Sequence, residues 1–344
     1  MTVLPALEDT EAPHLLPIAR YRFTARMRQS VRLPDYAGSL LRGQFGAALR
    51  NVACMTRQPT CGGCPLLATC PYTRIFESLP PLAHELQAFS AIPNAYVVEP
   101  PLPPNRLLYA APPPGQHHSA DLAPGENLVF HMVLAGPAVE QLALVVFAWQ
   151  RALAQGLTKS RSPADLLQVE WVDPQGTGHP IWHHQQPVLA PHPASLSVPA
   201  MPASAQALQL QLHTPLRLQQ QGHPLRPTQL TPRALVAAVA RRVALVLEFH
   251  ANQPHWGPQV PATVAQAQAL EQTVDVHWFD WTRYSSRQQQ EMTLGGVLGS
   301  WTLQGPPQAL AAAWPWLWLG QWLHVGKNAT FGLGGYTLHT GQPT

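Results

Sequence analysis

Two stretches of alternating residues constrain this chain more than any other feature. From Ile18 to Arg28, Ala19, Tyr21, Phe23, Ala25 and Met27 fall on one side of an extended backbone, with Arg20, Arg22, Arg26 and Arg28 on the other. Successive side chains of a strand point to opposite faces, so this stretch reads as a half-buried strand carrying four guanidinium groups. Leu208, Leu210, Leu212, Leu216 and Leu218 alternate in the same way against Gln209, Gln211, His213, Arg217 and Gln219. A helical period follows each strand. Leu40, Leu41, Phe45, Ala48, Leu49 and Val52 form the first, and Leu235, Val236, Val239, Val243 and Val246 the second. Thr231 and Pro232 open the second helix as N-cap and first helical residue.

The remaining elements repeat in the same order. In the first half, Ala95–Glu99 and Asn127–Ala135 are strand-like, a helix runs from Pro137 to about Gln155, and Leu166–Val172 closes the unit. In the second, Val274–Arg283 and Gly296–Leu303 are strands, Pro306–Trp322 is a helix, and Gly335–His339 closes it. Gly136-Pro137 matches Gly305-Pro306 at the strand-to-helix turn, and Lys159 and Lys327 follow the two helices at equivalent places. Each half reads β-α-β-β-α-β, the ferredoxin-like (RRM-like) order. The expected fold is therefore α+β, with two tandem ferredoxin-like domains over 18–173 and 206–340. A Cys-rich insertion at 54–76 interrupts the first, and the Pro/His/Gln-rich stretch 174–205 reads as a linker. A length of 344 residues suits two domains.

Charged residues are only 11% of the chain, and 38 are proline, which predicts a loop-rich protein with a sparsely charged surface. Of 21 basic residues all but Lys159 and Lys327 are arginine. Arginine is the planar, bidentate reader of phosphate. Arg20, Arg22, Arg26, Arg28, Arg32, Arg42, Arg50 and Arg57 crowd one stretch in which Asp35 is the one acid, so the stripe on the first strand has no acid nearby in sequence. The uncharged run from Met292 to Val325 is broken by Gly295-Gly296, Gly305-Pro306-Pro307 and Pro315, which excludes a membrane span. The acidic N-terminus (Glu8, Asp9, Glu11) has no basic segment ahead of an apolar run, so a cytoplasmic protein is expected.

All four cysteines, Cys54, Cys61, Cys64 and Cys70, lie within one short segment. Such clustering suits an intracellular metal centre better than a secreted disulfide framework. Gly62-Gly63 supplies the tight turn of a ligand knuckle. The stretch Cys54–Cys70 resembles the iron–sulfur loop of endonuclease III and the adenine DNA glycosylases in spacing and local sequence. An iron–sulfur cluster and a four-cysteine zinc site both remain open, each structural. The catalytic residues of those DNA repair enzymes are not recognisable here.

The second motif is the glycine-rich tail Leu323-His-Val-Gly-Lys-Asn-Ala-Thr-Phe-Gly-Leu-Gly-Gly-Tyr336. Gly326, Gly332, Gly334 and Gly335 would let the backbone approach a phosphodiester, with Lys327 adding a charge. It lacks the spacing of a Walker A loop. Taken with Leu41-Arg-Gly-Gln-Phe-Gly-Ala-Ala-Leu-Arg50, Cys61-Gly-Gly-Cys-Pro, Cys70-Pro-Tyr and Arg283-Tyr-Ser-Ser-Arg-Gln288, this tail resembles the CRISPR repeat-RNA-processing endoribonucleases of the RAMP superfamily. The resemblance runs from about Arg20 to Tyr336 outside the linker. It implies two ferredoxin-like domains, binding of a CRISPR repeat stem-loop, and cleavage at its base without a catalytic metal. Attack of a 2′-hydroxyl would leave a 5′-hydroxyl and a 2′,3′-cyclic or 3′-phosphate. It also implies CRISPR effector subunits as partners.

That chemistry needs a base, an acid and cations at the phosphorane. Members of the family often carry a His or Tyr near the first helix, whereas this sequence has no histidine between Arg20 and Tyr72. The candidates are Arg28 and Arg242 for the phosphorane, Tyr36 as the nearest titratable substitute, and His324 beside the glycines, with His213 a further alternative. Arg20, Arg22, Arg26, Arg42, Arg50, Arg241, Arg283, Arg287 and Lys327, with the four tail glycines, are the expected RNA contacts. Two other readings stay open: a non-catalytic crRNA-binding subunit of an effector complex, and an iron–sulfur DNA repair enzyme resting on the cysteine loop alone.

Overall fold

Strand β1 (Ile18–Met27) forms where the alternation placed it, with Ala19, Tyr21, Phe23, Ala25 and Met27 buried and the arginines turned to the opposite face. The computed structural model describes residues 15–34, 36–80, 92–101, 121–285 and 290–341, and the side chains of these except 281–285 and 290–294. Around β1 assemble β2 (Tyr96–Glu99), β3 (Asn127–Ala135), β4 (Ala164–Val172) and β5 (Gly178–His183), in the antiparallel order β2-β3-β1-β4-β5. The first four follow the ferredoxin-like permutation. Helices α1 (Gly38–Ala53) and α2 (Leu142–Gln155) cover the buried face, where Trp149 packs on Phe45 and Phe130 with ring centroids 5.1 and 4.5 Å apart.

The second half builds the same permutation from β6 (Ala207–Leu216), β7 (Glu271–Ser285), β8 (Gln290–Gln304) and β9 (Tyr336–Gly341), ordered β7-β8-β6-β9. Its helices are α3 (Pro232–Ala251) and α4 (Pro307–Leu323). Thr231 caps α3 by accepting from the Ala234 N–H at 3.1 Å. Helix α4 is apolar around most of its circumference because it is buried, with Trp316 Nε1 donating to Thr263. Among the described residues no helix is long and apolar enough to cross a membrane.

The stretch read as a linker is partly structured. Strand β5 lies inside it, paired with β4, and Leu196 is buried and bridged to Leu16. Pro180 hides this strand from sequence reading, and it is tolerated because β5 is a sheet edge. The two halves also share apolar contacts. Ile18, Val97, Val133 and Ala135, on the face of the first sheet away from α1 and α2, belong to one cluster with Leu208, Leu210, Val243 and Trp316 of the second half.

Candidate functional site

Strand register places Glu99, His131, Arg22 and Glu170 side by side in one row across β2, β3, β1 and β4. This row lies just beyond the part of the sheet covered by the second half. Arg22 donates from Nε to His131 Nε2 and from Nη1 to Glu170 Oε2, both at 3.3 Å. A guanidinium cannot accept, so Nε2 is the lone-pair nitrogen of His131. Burial lowers the His131 pKa, and Arg20 and Arg22 lower it further against the opposing pull of Glu99 and Glu170. His131 is therefore a neutral, half-buried imidazole between cations.

The next row holds Arg20. Its Nη2 donates to Glu99 Oε1 at 2.9 Å and to the Gln321 carbonyl at 2.8 Å, and its guanidinium lies 5.5 Å from the Trp322 ring centroid. Glu99 Oε1 also meets His324 Nε2 at 2.9 Å, while His324 Nδ1 faces the Leu333 carbonyl at 3.2 Å. Both oxygens accept, so the imidazole is held between two acceptors. Burial alone would raise the Glu99 pKa, but Arg20 and His324 hold it down to about 2. His324 is only 4% exposed and sits at φ +56°, a left-handed conformation rare outside glycine.

From the second sheet, His213 on β6 is hydrogen-bonded through Nε2 to the Thr337 hydroxyl on β9. Burial lowers its pKa, as do the nearby His324, His339 and Arg20, with Glu99 opposing. Arg20 and Glu99 thus act on both His131 and His213, one histidine from each sheet.

The four residues expected to be catalytic are placed otherwise. Tyr36 is buried, donates to the Phe331 carbonyl at 2.9 Å, and has its pKa raised well above the usual value by burial and then by Glu99. Arg242 donates from Nε to the carbonyls of Leu323 and His324, at 2.7 and 3.0 Å, closing the end of α4; burial lowers its pKa to about 10. His324 is locked as described. Arg28 grips Asp165 with both arms at the exposed end of the sheet. Tyr36, Arg242 and His324 come together around the glycine-rich tail, but as joints between elements, and Arg28 is remote from them.

The arginine stripe is also corrected. It was expected to lack acid partners, yet Arg20, Arg22 and Arg28 pair with Glu99, Glu170 and Asp165. These acids come from other strands far along the chain. Arg26 and Arg241 are exposed, and Arg26 has no acid partner among the described residues. Arg42 lies 4.5 Å from the Phe76 ring centroid and donates to the Tyr96 hydroxyl. Arg50 is occupied by the cysteine loop, donating to the Gln58 and Pro59 carbonyls. Arg283 lies in β7 with its side chain outside the described residues, and Arg287 lies outside them altogether.

The tail glycines let backbone approach backbone. A Cβ on Gly332 (φ +94°) would lie 2.6 Å from the Val98 carbonyl oxygen, and one on Gly334 (φ +69°) 1.8 Å from that of Val325. Gly326 is pressed against Arg217 and Gly335 against the His324 ring. The N–H groups of Gly332, Gly334 and Gly335 donate to Ala329, Pro215 and Thr214. These are partners within the protein, where the sequence pointed to a phosphodiester; Lys327 remains exposed. Gly334→Ala is accordingly expected to cost about 2 kcal/mol or more of stability, from positive φ and steric conflict together. Urea unfolding measures it, and a loss below about 0.5 kcal/mol, within the usual range for neutral surface changes, would contradict this packing.

Comparison with known proteins agrees with this architecture. Residues 16–194, just over half the chain, match the N-terminal domain family AF_1859_N, and residues 210–336 match the model of the CRISPR-associated endoribonuclease Cas6. Residues 210–336 are a Cas6 endoribonuclease domain, preceded by an AF_1859_N N-terminal domain. The solved product complex of a Cas6 (TTHB231) has a TM-score of 0.56 at 15% identity, covering 94% of this chain and 99% of that one. Thermus thermophilus Cas6 (TTHB231) gives 0.51 at 13% identity, covering 95% and 100%. A partial Cas6-RT-Cas1–Cas2 complex gives 0.52 at 14% identity, covering 94% of this chain and 46% of that one. At these identities the likeness is one of fold. No curated protein matches the chain. The Cas6 domain match lends no support to the DNA-repair reading of the cysteine loop. Within the Cas6 fold, His131 is the site residue that sequence reasoning missed, since it interrupts an apolar strand and gains meaning only from its register with Arg22.

Proposed function

We propose that this Cas6 protein binds CRISPR repeat RNA in the cleft between its two sheets and cuts it without a catalytic metal. The observation that carries this reading is the neutral His131, held by Arg22, with His213 of the second sheet near the same Arg20 and Glu99. The 3.3 Å contact from Arg22 is long, and a phosphodiester entering the row competes for that guanidinium. Arg22 then turns to the phosphate, and His131 Nε2 is freed to take the proton of the 2′-hydroxyl. The 2′-oxygen attacks the adjacent phosphorus, the P–O5′ bond breaks, and a 2′,3′-cyclic phosphate and a 5′-hydroxyl result. The anionic phosphate raises the pKa of His213, which protonates the departing 5′-oxygen. Arg20, Arg22 and exposed Arg26 stabilise the charge of the phosphorane.

Arg241 and Lys327, both exposed, extend the contact to the RNA backbone, and such charges hold the product as readily as the substrate. The protein keeps its crRNA and passes it to effector subunits in this reading. Purified protein incubated with repeat RNA in EDTA is expected to give one cut with a 5′-hydroxyl end, and to co-elute with the upstream product. A cut that requires added divalent metal, or one that leaves a 5′-phosphate, would overturn the mechanism.

A further inference from the structure

We propose that Cys54, Cys61, Cys64 and Cys70 hold a four-iron, four-sulfur cluster in preference to a single zinc ion. The inference rests on how the thiols are arranged, and it is independent of the cleft. All four are unpaired and half-buried, and all four line one cavity of about 150 Å³ at the end of α1. Among the described residues, no three Cys, His, Asp or Glu side chains converge as a site for one metal ion. The four thiols instead share the lining of this one cavity. A zinc site draws four ligands onto one point, and a cluster needs them spread around a body of several atoms. One water needs roughly 10–15 Å³ of such volume, so the cavity has room for a body of several atoms.

The loop is built to keep that space open. Cys54 ends α1 with its N–H on the Arg50 carbonyl at 2.9 Å. The Cys64 N–H bonds the Cys61 carbonyl at 3.2 Å across the Gly62-Gly63 turn, with Gly63 at φ +75°. Cys70 closes on Leu66 at 2.8 Å and starts the short helix Pro71–Ile75. The Thr73 hydroxyl lies within bonding distance of the Leu67 and Cys70 carbonyls, and Arg50 pins the far side through Gln58 and Pro59. Ala53, Leu66, Leu67 and Tyr72 supply the remaining wall. Arg50 also lines the cavity, and its positive charge suits a cluster bound by four thiolates, which is anionic.

The test is elemental analysis of the full chain purified without oxygen. Iron and acid-labile sulfide near four each per chain, with broad visible absorption, are the expected result. Stoichiometric zinc without iron, or neither metal, would overturn the proposal while leaving the ribonuclease reading intact, because RNA cleavage is scored separately. Cys64→Ser is expected to lose the visible absorption and most of the iron. Near-UV circular dichroism of that variant shows whether the rest of the chain stays folded. Should it not fold, the metal content of the unaltered protein still decides.

Discussion

His131→Ala is expected to slow single-turnover cleavage of repeat RNA by about 10²–10⁴-fold at saturating protein, the range general-base groups contribute. RNA affinity should change only a few-fold, because the arginines that hold the phosphates remain. In the unaltered protein the pH profile should carry the same signature. The His131 pKa lies below its usual 6.5, so the rate should stay on its plateau as pH falls to that value and drop only below it. His131→Ala should lose this acidic limb. A variant cutting within about threefold of the unaltered protein, with the limb intact, would remove His131 from the chemistry.

The second large effect concerns Glu99, which joins the halves by accepting from Arg20 and His324. Glu99→Ala removes the acceptor shared by half-buried Arg20 and buried His324, and breaking a buried pair typically costs about 3–5 kcal/mol. The pH dependence has a definite sign. The folded-state pKa of about 2 lies below the unmodified value of 4.5, so the unfolded chain binds the proton more readily. The stabilisation is fully present above about pH 4.5, on the order of 3 kcal/mol, and is lost as pH falls from there towards 2. Denaturant unfolding between pH 3 and 7 should therefore show a steeper acid loss in the unaltered protein than in Glu99→Gln. Parallel curves for the two, or a Glu99→Ala loss below about 1 kcal/mol, would show that the ion pairs carry little of the joint.

Much of the fold was legible because local periodicity determined it. The alternations at Ile18–Arg28 and Leu208–Leu218, with Thr231-Pro232 at a helix start, gave both half-buried first strands and the order of elements around them. Strand β5 was not legible, since an edge strand tolerates a proline that sequence reading takes as a break. The site was legible only in part. Arg20 and Arg22 stood out as a stripe, but their acids arrive from β2 and β4 through pairing that no local pattern encodes. The glycines at 332 and 334 did signal a close approach. The approaching partner is a carbonyl of the same chain, and the sequence alone does not distinguish that from a phosphate. His324 and Tyr36 were singled out as titratable groups in the right neighbourhood, and burial turned both into joints.

The apolar seal formed by Ile18, Val97, Val133 and Ala135 under the second half sets how the two sheets can move against each other. Spreading the two sheets would return those side chains to water, at a cost on the order of 5 kcal/mol. Thermal motion does not supply that routinely, so the two sheets keep a fixed spacing. If RNA lies between the sheets as proposed, a guide of fixed calibre would sort it by cross-section, admitting one strand geometry and turning away others without reading a base. The ordering cost of closing around the ligand would also be absent, so a modest number of arginine contacts would suffice for tight binding.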